Sequence, residues 1–295
     1  MANLCNSMLL KGNPLFLDLP ILQGVTSVLA LDTFFKLKNS YSGPCINVRR
    51  SSDNATQDIG FNGNVLDIQS LLSFVGSNNG FITAWYDQSG NSNNATQVVA
   101  LNQPKIVSNG SILTLSNFAV GSYSAASSQY LTIANTTNLA ITGAVTFYTI
   151  FNPGTGTSAI QGVLYKTGNA NGPYGIVTTS INTSVQSGFY NTSSVVGTAI
   201  AGSISSGTPY LVEGYYDGSS TISAKKNNSS AITSSFTGSL LNEGLPIYIG
   251  QQKNGFNRYF DGKISTGLVF NSYLTNTQRS AIRSYLGNQR SISVT

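Results

Sequence analysis

Short runs of β-branched and aromatic residues, separated by Gly, Asn and Ser, dominate the chain from Gly80 onward. Apolar and polar positions within these runs follow the short period of β-strands. Such strands at regular spacing, with turn residues between them, are typical of antiparallel sandwiches and jelly rolls. The pattern predicts strands at Phe81–Tyr86, Val145–Phe151, Gly162–Tyr165, Gly175–Thr179, Ser184–Tyr190, Tyr210–Tyr216, Thr221–Ala224, Ile247–Ile249 and Gly262–Phe270.

Three other segments have apolar residues at helical spacing. The first, Val25–Leu37, follows an apolar, proline-containing start, so residues 1–38 are predicted to form an N-terminal arm and helix ahead of a sandwich domain at 39–295. The second is Asp67–Phe74, with Asp67 as a possible cap. The third begins at Thr275, which has capping-box spacing to Gln278, and ends at Gly287. The fold class predicted is all-β, an antiparallel β-sandwich with a few short peripheral helices.

The composition excludes several classes of function. Hydrophobic residues make up 40% of the chain and charged residues 8%, so the chain is expected to fold. Histidine, the commonest general base and metal ligand, is absent. The net charge of +5 is dispersed, and the dense basic pairs Arg49-Arg50 and Lys225-Lys226 do not make the stripe of a nucleic-acid binder. We therefore predict no cofactor, no metal site and no nucleic-acid partner.

Neither a membrane span nor a secretory signal is expected. No run of residues approaches the roughly 20 apolar residues that cross a bilayer, and no basic region precedes the first apolar residues. Cys5 and Cys45 are too few for a disulfide scaffold. They are interpreted as reduced thiols, with a single bridge between them as the alternative.

Two segments carry a family resemblance. They read SYSGPCINVRRSSDNATQDIGF at Ser40–Phe61 and AWYDQSGNSNNATQ at Ala84–Gln97. These segments resemble the catalytic sandwich of fungal α-L-arabinofuranosidase B, a family of concanavalin-like glycoside hydrolases. They are also similar to blocks in virion and cell-surface proteins with laminin-G-like sandwiches, whose closing strand and helix resemble Phe260–Leu274 and Tyr285-Leu286. The resemblance implies a concanavalin-like jelly roll.

The resemblance also implies where two catalytic carboxylates belong. The family's nucleophile is a Glu on the strand after a Gly-Pro-aromatic step, here Gly172-Pro173-Tyr174, and its matching position is Ser180. The family's acid/base is an Asp after an Ile-Gly-Gly element, and here Ile249-Gly250 leads into Gln251-Gln252. Usual glycoside hydrolysis needs both carboxyl groups. A protein without enzymatic activity is therefore expected.

The Trp-Tyr-Asp-Gln segment is the candidate carbohydrate site. The rings of Trp85 and Tyr86 would stack on a sugar, while Asp87, Gln88 and Asn91 would bond its hydroxyls. The alternative is that Trp85 is buried in the sandwich and that the residues after it form a structural turn.

Charged residues elsewhere have structural interpretations. Arg49, Arg50, Asp53 and Asp58 are predicted to form a polar network that fastens the helical part to the sandwich, with a ligand site as the alternative. Glu213, in an apolar strand, is expected on the solvent face.

The function expected from these observations is a non-enzymatic virion structural protein, a capsid, spike or fibre component on the virion surface. Its N-terminal arm would contact other virion proteins or copies of itself, since an exposed apolar segment usually marks an interface, and its outer surface would bind host glycans. The alternative for the arm is that it packs against its own sandwich. The alternatives are an extracellular or cell-surface carbohydrate-binding module and an active arabinofuranosidase-like glycosidase. The sequence does not determine the host, the glycan or the assembly symmetry.

Overall fold

The fold is given by a computed structural model that describes residues 18–19, 22, 24–155, 160–167, 172–179, 183–252 and 258–294. The strands are β1 (Ser27–Asp32), β2 (Ile46–Arg50), β3 (Thr56–Ile59), β4 (Phe61–Asn62), β5 (Val65–Leu66), β6 (Gly80–Trp85), β7 (Ala95–Thr96), β8 (Lys105–Ser108), β9 (Ser111–Ile112), β10 (Thr114–Leu115), β11 (Phe118–Ala119), β12 (Gly121–Tyr123), β13 (Leu131–Ile133), β14 (Val145–Pro153), β15 (Ile160–Lys166), β16 (Tyr174–Thr179), β17 (Ser184–Tyr190), β18 (Val196–Ser203), β19 (Tyr210–Tyr216), β20 (Thr221–Lys226), β21 (Ile232–Ser235), β22 (Ile247–Ile249), β23 (Gln251–Gln252), β24 (Arg258–Tyr259) and β25 (Gly262–Phe270). The helices are α1 (Ile68–Val75) and α2 (Asn276–Arg290). Each strand predicted from the sequence is confirmed, with bounds that differ by at most two residues.

The strands form two antiparallel layers, as the all-β prediction requires. One layer, which we call the helix-side sheet, has the order β1–β25–β14–β19–β20–β21. The other, the open sheet, has the order β7–β13–β22–β15–β16–β17–β18. The layers pack face to face, since the ring of Phe147 on β14 lies 5.8 Å from that of Tyr174 on β16 and 5.7 Å from that of Phe189 on β17.

The N-terminal segment differs from its prediction. The stretch expected to be helical contains strand β1, which pairs with β25 inside the helix-side sheet. All six residues of β1 are buried, so the strand has no polar side that would reveal a period of two. Residues 1–17, which make up most of the predicted arm and include Cys5, lie outside the described part of the chain. Cys45 is buried and has a free thiol.

Both later helices are present, but the second does not end at Gly287 as predicted: α2 continues to Arg290, and the N–H of its cap residue Ser291 donates to the Gly287 carbonyl. Asp67 caps α1 by accepting a hydrogen bond from the Ser70 N–H at 3.0 Å. Thr275 and Gln278 form the capping box at the start of α2. Within the described residues, no helix is long and apolar enough to span a membrane.

Helix α2 covers the outer face of the helix-side sheet through three buried arginines. Arg279 and Arg283 approach the Glu213 carboxylate at 3.1 and 2.7 Å. Arg290 bonds both carboxylate oxygens of Asp32, at 2.8 and 2.9 Å. The prediction that Glu213 faces solvent is wrong, because α2 encloses it and leaves it 2% exposed.

Candidate functional site

A row of side chains crosses the outer face of the open sheet. Its members are register partners on successive strands: Thr132 with Tyr248, Tyr248 with Tyr165, Tyr165 with Gly175, and Gly175 with Gly188. We call this set the tyrosine row. Because neighbouring residues on a strand point to opposite faces, the residues between them face the core.

Two glycines shape this row. A Cβ at Gly175 would lie 2.3 Å from Tyr165 Cδ2, whereas one at Gly188 would lie 3.4 Å from the Tyr165 hydroxyl. The Tyr165 ring therefore lies across β16 and extends toward β17 in space that side chains would otherwise fill. This packing holds the phenol in a defined orientation on the sheet.

The β23–β24 hairpin lies against β15 at the same place. A Cβ at Gly162 would lie 2.2 Å from the Gln251 carbonyl carbon, so only glycine allows this approach. Arg258 donates to the Gln252 side-chain oxygen at 3.3 Å. Burial raises the pKa of Tyr165, while hydrogen bonds with the Gly172 backbone and the Gln252 side chain oppose that rise. The phenol therefore stays protonated at neutral pH beside an amide and a guanidinium.

Two half-buried tyrosines extend the row beyond the hairpin. The Tyr130 ring lies 5.9 Å from that of Tyr248 and 6.0 Å from that of Tyr259. Phenol rings present an apolar face and a polar edge together. Rings, amides and a guanidinium in one place suit the apolar faces and the hydroxyl groups of a sugar.

The sequence did not point to these tyrosines. Within Ile247-Tyr248-Ile249 the tyrosine points to the outer face and the two isoleucines point to the core, but all three are buried, with Tyr248 7% exposed. The contact of Tyr248 with Tyr165 depends on strand pairing, which the pattern along the chain does not contain.

The Trp-Tyr-Asp-Gln candidate lies in a separate, largely buried region. Trp85 is 0% exposed, so neither ring face is open to solvent. Asp87 accepts backbone hydrogen bonds from Ala30 at 2.8 Å and from Asn93 at 3.0 Å.

The neighbours of Trp85 and Asp87 also bind the chain itself. Gln88 binds the Leu37 N–H at 2.7 Å and the Phe35 carbonyl at 3.1 Å, and Asn91 donates to the Ser27 carbonyl at 3.0 Å. Tyr86 is half-buried and donates to Asp58 at 2.7 Å. These hydrogen bonds hold β1 and the residues that follow it, as far as Leu37, against the Trp-Tyr-Asp-Gln segment.

The four charged residues predicted as one network form separate contacts. Arg50 pairs with Asp53 at 2.6 Å on the surface. Arg49 donates to Gln103 at 2.7 Å and lies over the Phe81 ring, and Asp58 binds Asn47 and Tyr86.

The two elements that the resemblance assigned to catalysis meet at the tyrosine row. Strand β16 supplies Gly175, and Gln251-Gln252 forms β23 over the adjacent strand. Ser180 lies outside the described residues. In the described part of the chain, no cluster of three or more Cys, Asp or Glu side chains could hold a metal ion.

The fold is an all-β sandwich, and one face of its open sheet carries phenol rings, side-chain amides and a guanidinium. The family model described as "Alpha-L-arabinofuranosidase B, catalytic" matches residues 18–264. The chain belongs to this family.

Individual proteins agree with this assignment. A probable α-L-arabinofuranosidase B of Aspergillus fumigatus is 42% identical over 76 residues, which are 25% of this chain and 15% of that protein. A mutant GH54 α-L-arabinofuranosidase soaked with 4-nitrophenyl α-L-arabinofuranoside has a TM-score of 0.67 at 17% identity, over 92% of this chain and 64% of that one. An arabinofuranosidase complexed with arabinofuranosyl-α-1,2-xylobiose gives 0.63 at 17% identity over the same shares. The chain thus spans less than two thirds of these relatives.

These matches correct the functional prediction. The expectation of a non-enzymatic virion structural protein is wrong, because the family model and the similar structures are those of a glycoside hydrolase family. The sequence argument relied on two positions, whereas the match covers most of the chain.

Proposed function

We propose that this chain is a glycosidase domain that hydrolyses α-L-arabinofuranosyl residues of a glycan, with the sugar bound on the tyrosine row. The observation that carries the proposal is the family match over residues 18–264. Tyr165, Gln252 and Arg258 would bond the sugar hydroxyls, and the ring of Tyr248 would contact its apolar side.

Usual hydrolysis of a glycoside uses one carboxyl group that protonates the leaving oxygen and a second that attacks the anomeric carbon or activates water. In this chain a single carboxyl group would make both proton transfers: it would protonate the leaving oxygen as the glycosidic bond breaks, and its carboxylate would then take a proton from the water that adds to the anomeric carbon. All ten acidic residues of the chain lie in its described part. Asp32 and Glu213 are held in buried ion pairs under α2, and Asp87 is held by backbone N–H groups. These three carboxylates are therefore assigned to stability.

Asp261 is the carboxyl group that we assign to proton donation. It follows β24 by two residues, and its N–H donates to the Gln161 side chain on β15 at 2.8 Å. These links put the Asp261 backbone next to the hairpin, and its carboxylate oxygen Oδ2 lies against Gly154, directly after β14.

Release of nitrophenol from 4-nitrophenyl α-L-arabinofuranoside tests the proposal. The wild-type chain should turn the substrate over, and Asp261→Asn should lower kcat by about 10²-fold or more, since acid catalysis supplies 10²–10⁴-fold. Glu243→Gln is the matched control, because Glu243 is an exposed carboxyl group in the loop before β22. Tyr165→Phe should raise KM through the loss of a hydrogen bond.

Two results would reject the hydrolytic assignment. One is no turnover by the wild-type chain, and the other is full turnover by Asp261→Asn. Calorimetric titration with the same compound separates recognition from catalysis, because binding without turnover would leave the sugar site in place and remove Asp261 from it.

A further inference from the structure

Strand β18 forms one border of the open sheet and lacks the features that usually protect an edge strand. It has eight residues, and within the described ranges it pairs with β17 alone. Edge strands are usually kept short or carry lysine, proline or a bulge that discourages further pairing. No charged residue and no proline occurs from Thr192 to Thr208, and the bulge of β18, at Ala201, follows a regularly paired stretch. This edge is therefore open to another strand.

The backbone of β18 directs hydrogen-bonding groups outward at alternate residues. The Tyr190 N–H donates to the Pro173 carbonyl at 3.2 Å, just before β16, so Tyr190 on β17 directs its backbone groups away from β18. Opposed residues of an antiparallel pair either both bond each other or both point away from each other. Val196 is the register partner of Tyr190, so its N–H and C=O point away from β17. By alternation, Thr198 and Ile200 present theirs in the same direction.

The side chains of the same three residues lie on the outer face of the open sheet. Thr198 is the register partner of Gly188 in the tyrosine row. Val196 is 57% exposed and Ile200 is 51% exposed, while the residues between them are buried. All three side chains are β-branched, the type that packs well against a neighbouring strand. Outward backbone groups and exposed side chains that suit a sheet therefore coincide along one edge.

We propose that β18 pairs with β18 of a second copy of this chain, antiparallel and about a two-fold axis at Thr198. In this register Thr198 lies opposite Thr198 of the other copy, and Val196 lies opposite Ile200. Each outward N–H of the three residues then meets an outward C=O, and each aliphatic side chain meets another across the strands. Such self-complementarity is what an isologous two-fold interface requires. The two open sheets become one, with both tyrosine rows on the same face.

The charge distribution permits this contact between two copies of a chain whose net charge is +5. The Lys226 ammonium contacts β18 at its end, where it binds the Ser203 carbonyl. The two-fold axis places the two Ser203 residues at opposite ends of the paired strands, roughly 30 Å apart by strand rise. Exposed charges at that separation are screened at physiological salt. The centre of the pairing is neutral, so it matches a second copy better than a charged peptide.

Sedimentation equilibrium of the full chain tests the pairing. The wild-type protein should pass from monomer to dimer with a Kd on the order of 10 μM, as suits a small interface. Thr198→Pro removes an outward N–H, a change that an edge strand tolerates, and Ile200→Lys puts an ammonium against the apolar Val196. Each should raise Kd about tenfold or more. Leu101→Lys is the matched control, since Leu101 is 83% exposed in the turn after β7, at the other border of the open sheet.

Chemical cross-linking tests the register. A short bifunctional maleimide should join two copies of the Thr198→Cys variant, because the substituted positions face each other. It should not join two copies of Val196→Cys, whose positions lie roughly 13 Å apart along the strands. The wild-type chain treated in parallel reports any linkage through the native cysteines.

Three results would overturn the proposal. The first is a wild-type chain that stays monomeric at about 100 μM, tenfold above the expected Kd. The second is a dimer that Ile200→Lys leaves intact or that Leu101→Lys weakens equally. The third is equal cross-linking of Val196→Cys and Thr198→Cys. Circular dichroism and melting of dilute samples show whether each variant folds, and if Thr198→Pro does not, Ile200→Lys decides.

Discussion

Removal of Arg290 should destabilise the protein far more than removal of a surface arginine. Arg290 and Asp32 are each 1% exposed, and the guanidinium also lies over the rings of Phe35 and Phe118, at 4.6 and 5.3 Å. Loss of one partner of a buried ion pair leaves an uncompensated charge and typically costs about 3–5 kcal/mol.

The contacts of Asp32 set the expected order of the variants. In Arg290→Met the carboxylate keeps two backbone N–H groups, at 2.9 and 2.8 Å, and the Thr266 hydroxyl at 2.8 Å. That variant should lie near 3 kcal/mol, the lower end of the range. Asp32→Asn should cost about 4–5 kcal/mol, because it strands the guanidinium and weakens those three bonds as well.

Urea unfolding of the single and double variants measures these values. The loss of stability in the double variant should be smaller than the sum of the two single losses by about 2 kcal/mol, because the effects of substituting two contacting residues are not additive. Arg50→Met is the control: its pair with Asp53 is as short, but the side chains are 29% and 50% exposed, so solvent screens the pair and the loss should be much smaller than that of Arg290→Met. An Arg290→Met loss no larger than that of Arg50→Met would refute the reasoning.

Two further perturbations follow from buried groups in the open sheet. Lys166 is fully buried and binds the Leu245 carbonyl at 2.6 Å, and burial lowers its pKa from 10.5 to about 8. Between these two pKa values the Lys166 side chain is protonated in the unfolded chain and neutral in the folded chain. The free energy of unfolding should therefore rise from pH 8 to 10.5. Unfolding curves of Lys166→Met should lack this rise, and an unchanged slope would contradict the assignment. Gly175→Ala should cost about 1–3 kcal/mol, because the added Cβ would lie 2.3 Å from the Tyr165 ring and 2.6 Å from the Leu164 carbonyl oxygen. Gly188→Ala, with its 3.4 Å clearance, should cost less than about 1 kcal/mol; equal melting temperatures for the two variants would show that β15 does not lie against Gly175 as described.

Elements set by local chemistry were predictable from the sequence. The α2 capping box needs only Thr275 and Gln278 at the right spacing, and the Asp-Gly turn before β20 places Gly218 at a φ of +85°. Strand β1 was not predictable in this way. It is covered on both faces, so its unbroken apolar run has no period to distinguish strand from helix.

The candidate site was beyond local pattern because its residues meet only through strand register. Tyr165 and Tyr248 are far apart in the sequence and become neighbours only because β15 pairs with β22. Gly175 contributes by having no side chain, which leaves space for the Tyr165 ring. The conspicuous Trp-Tyr-Asp-Gln motif drew attention to side chains that the fold uses internally. Residue type identified polar groups but did not show how far the fold buries them: Trp85 is 0% exposed, and Tyr165 and Tyr248 are 6% and 7% exposed.

The arginine face of α2 also has a consequence for the timing of folding. Asp32 is synthesised early, whereas its partner Arg290 is the last residue of α2. During translation this carboxylate therefore has no cationic partner until nearly the whole chain has been made. Glu213 waits likewise for Arg279 and Arg283. Until α2 emerges, the outer face of the helix-side sheet lacks the helix that encloses these two carboxylates. Nascent chains halted before Asn276 should therefore leave this face sensitive to protease, and docking of α2 should be the step that protects it.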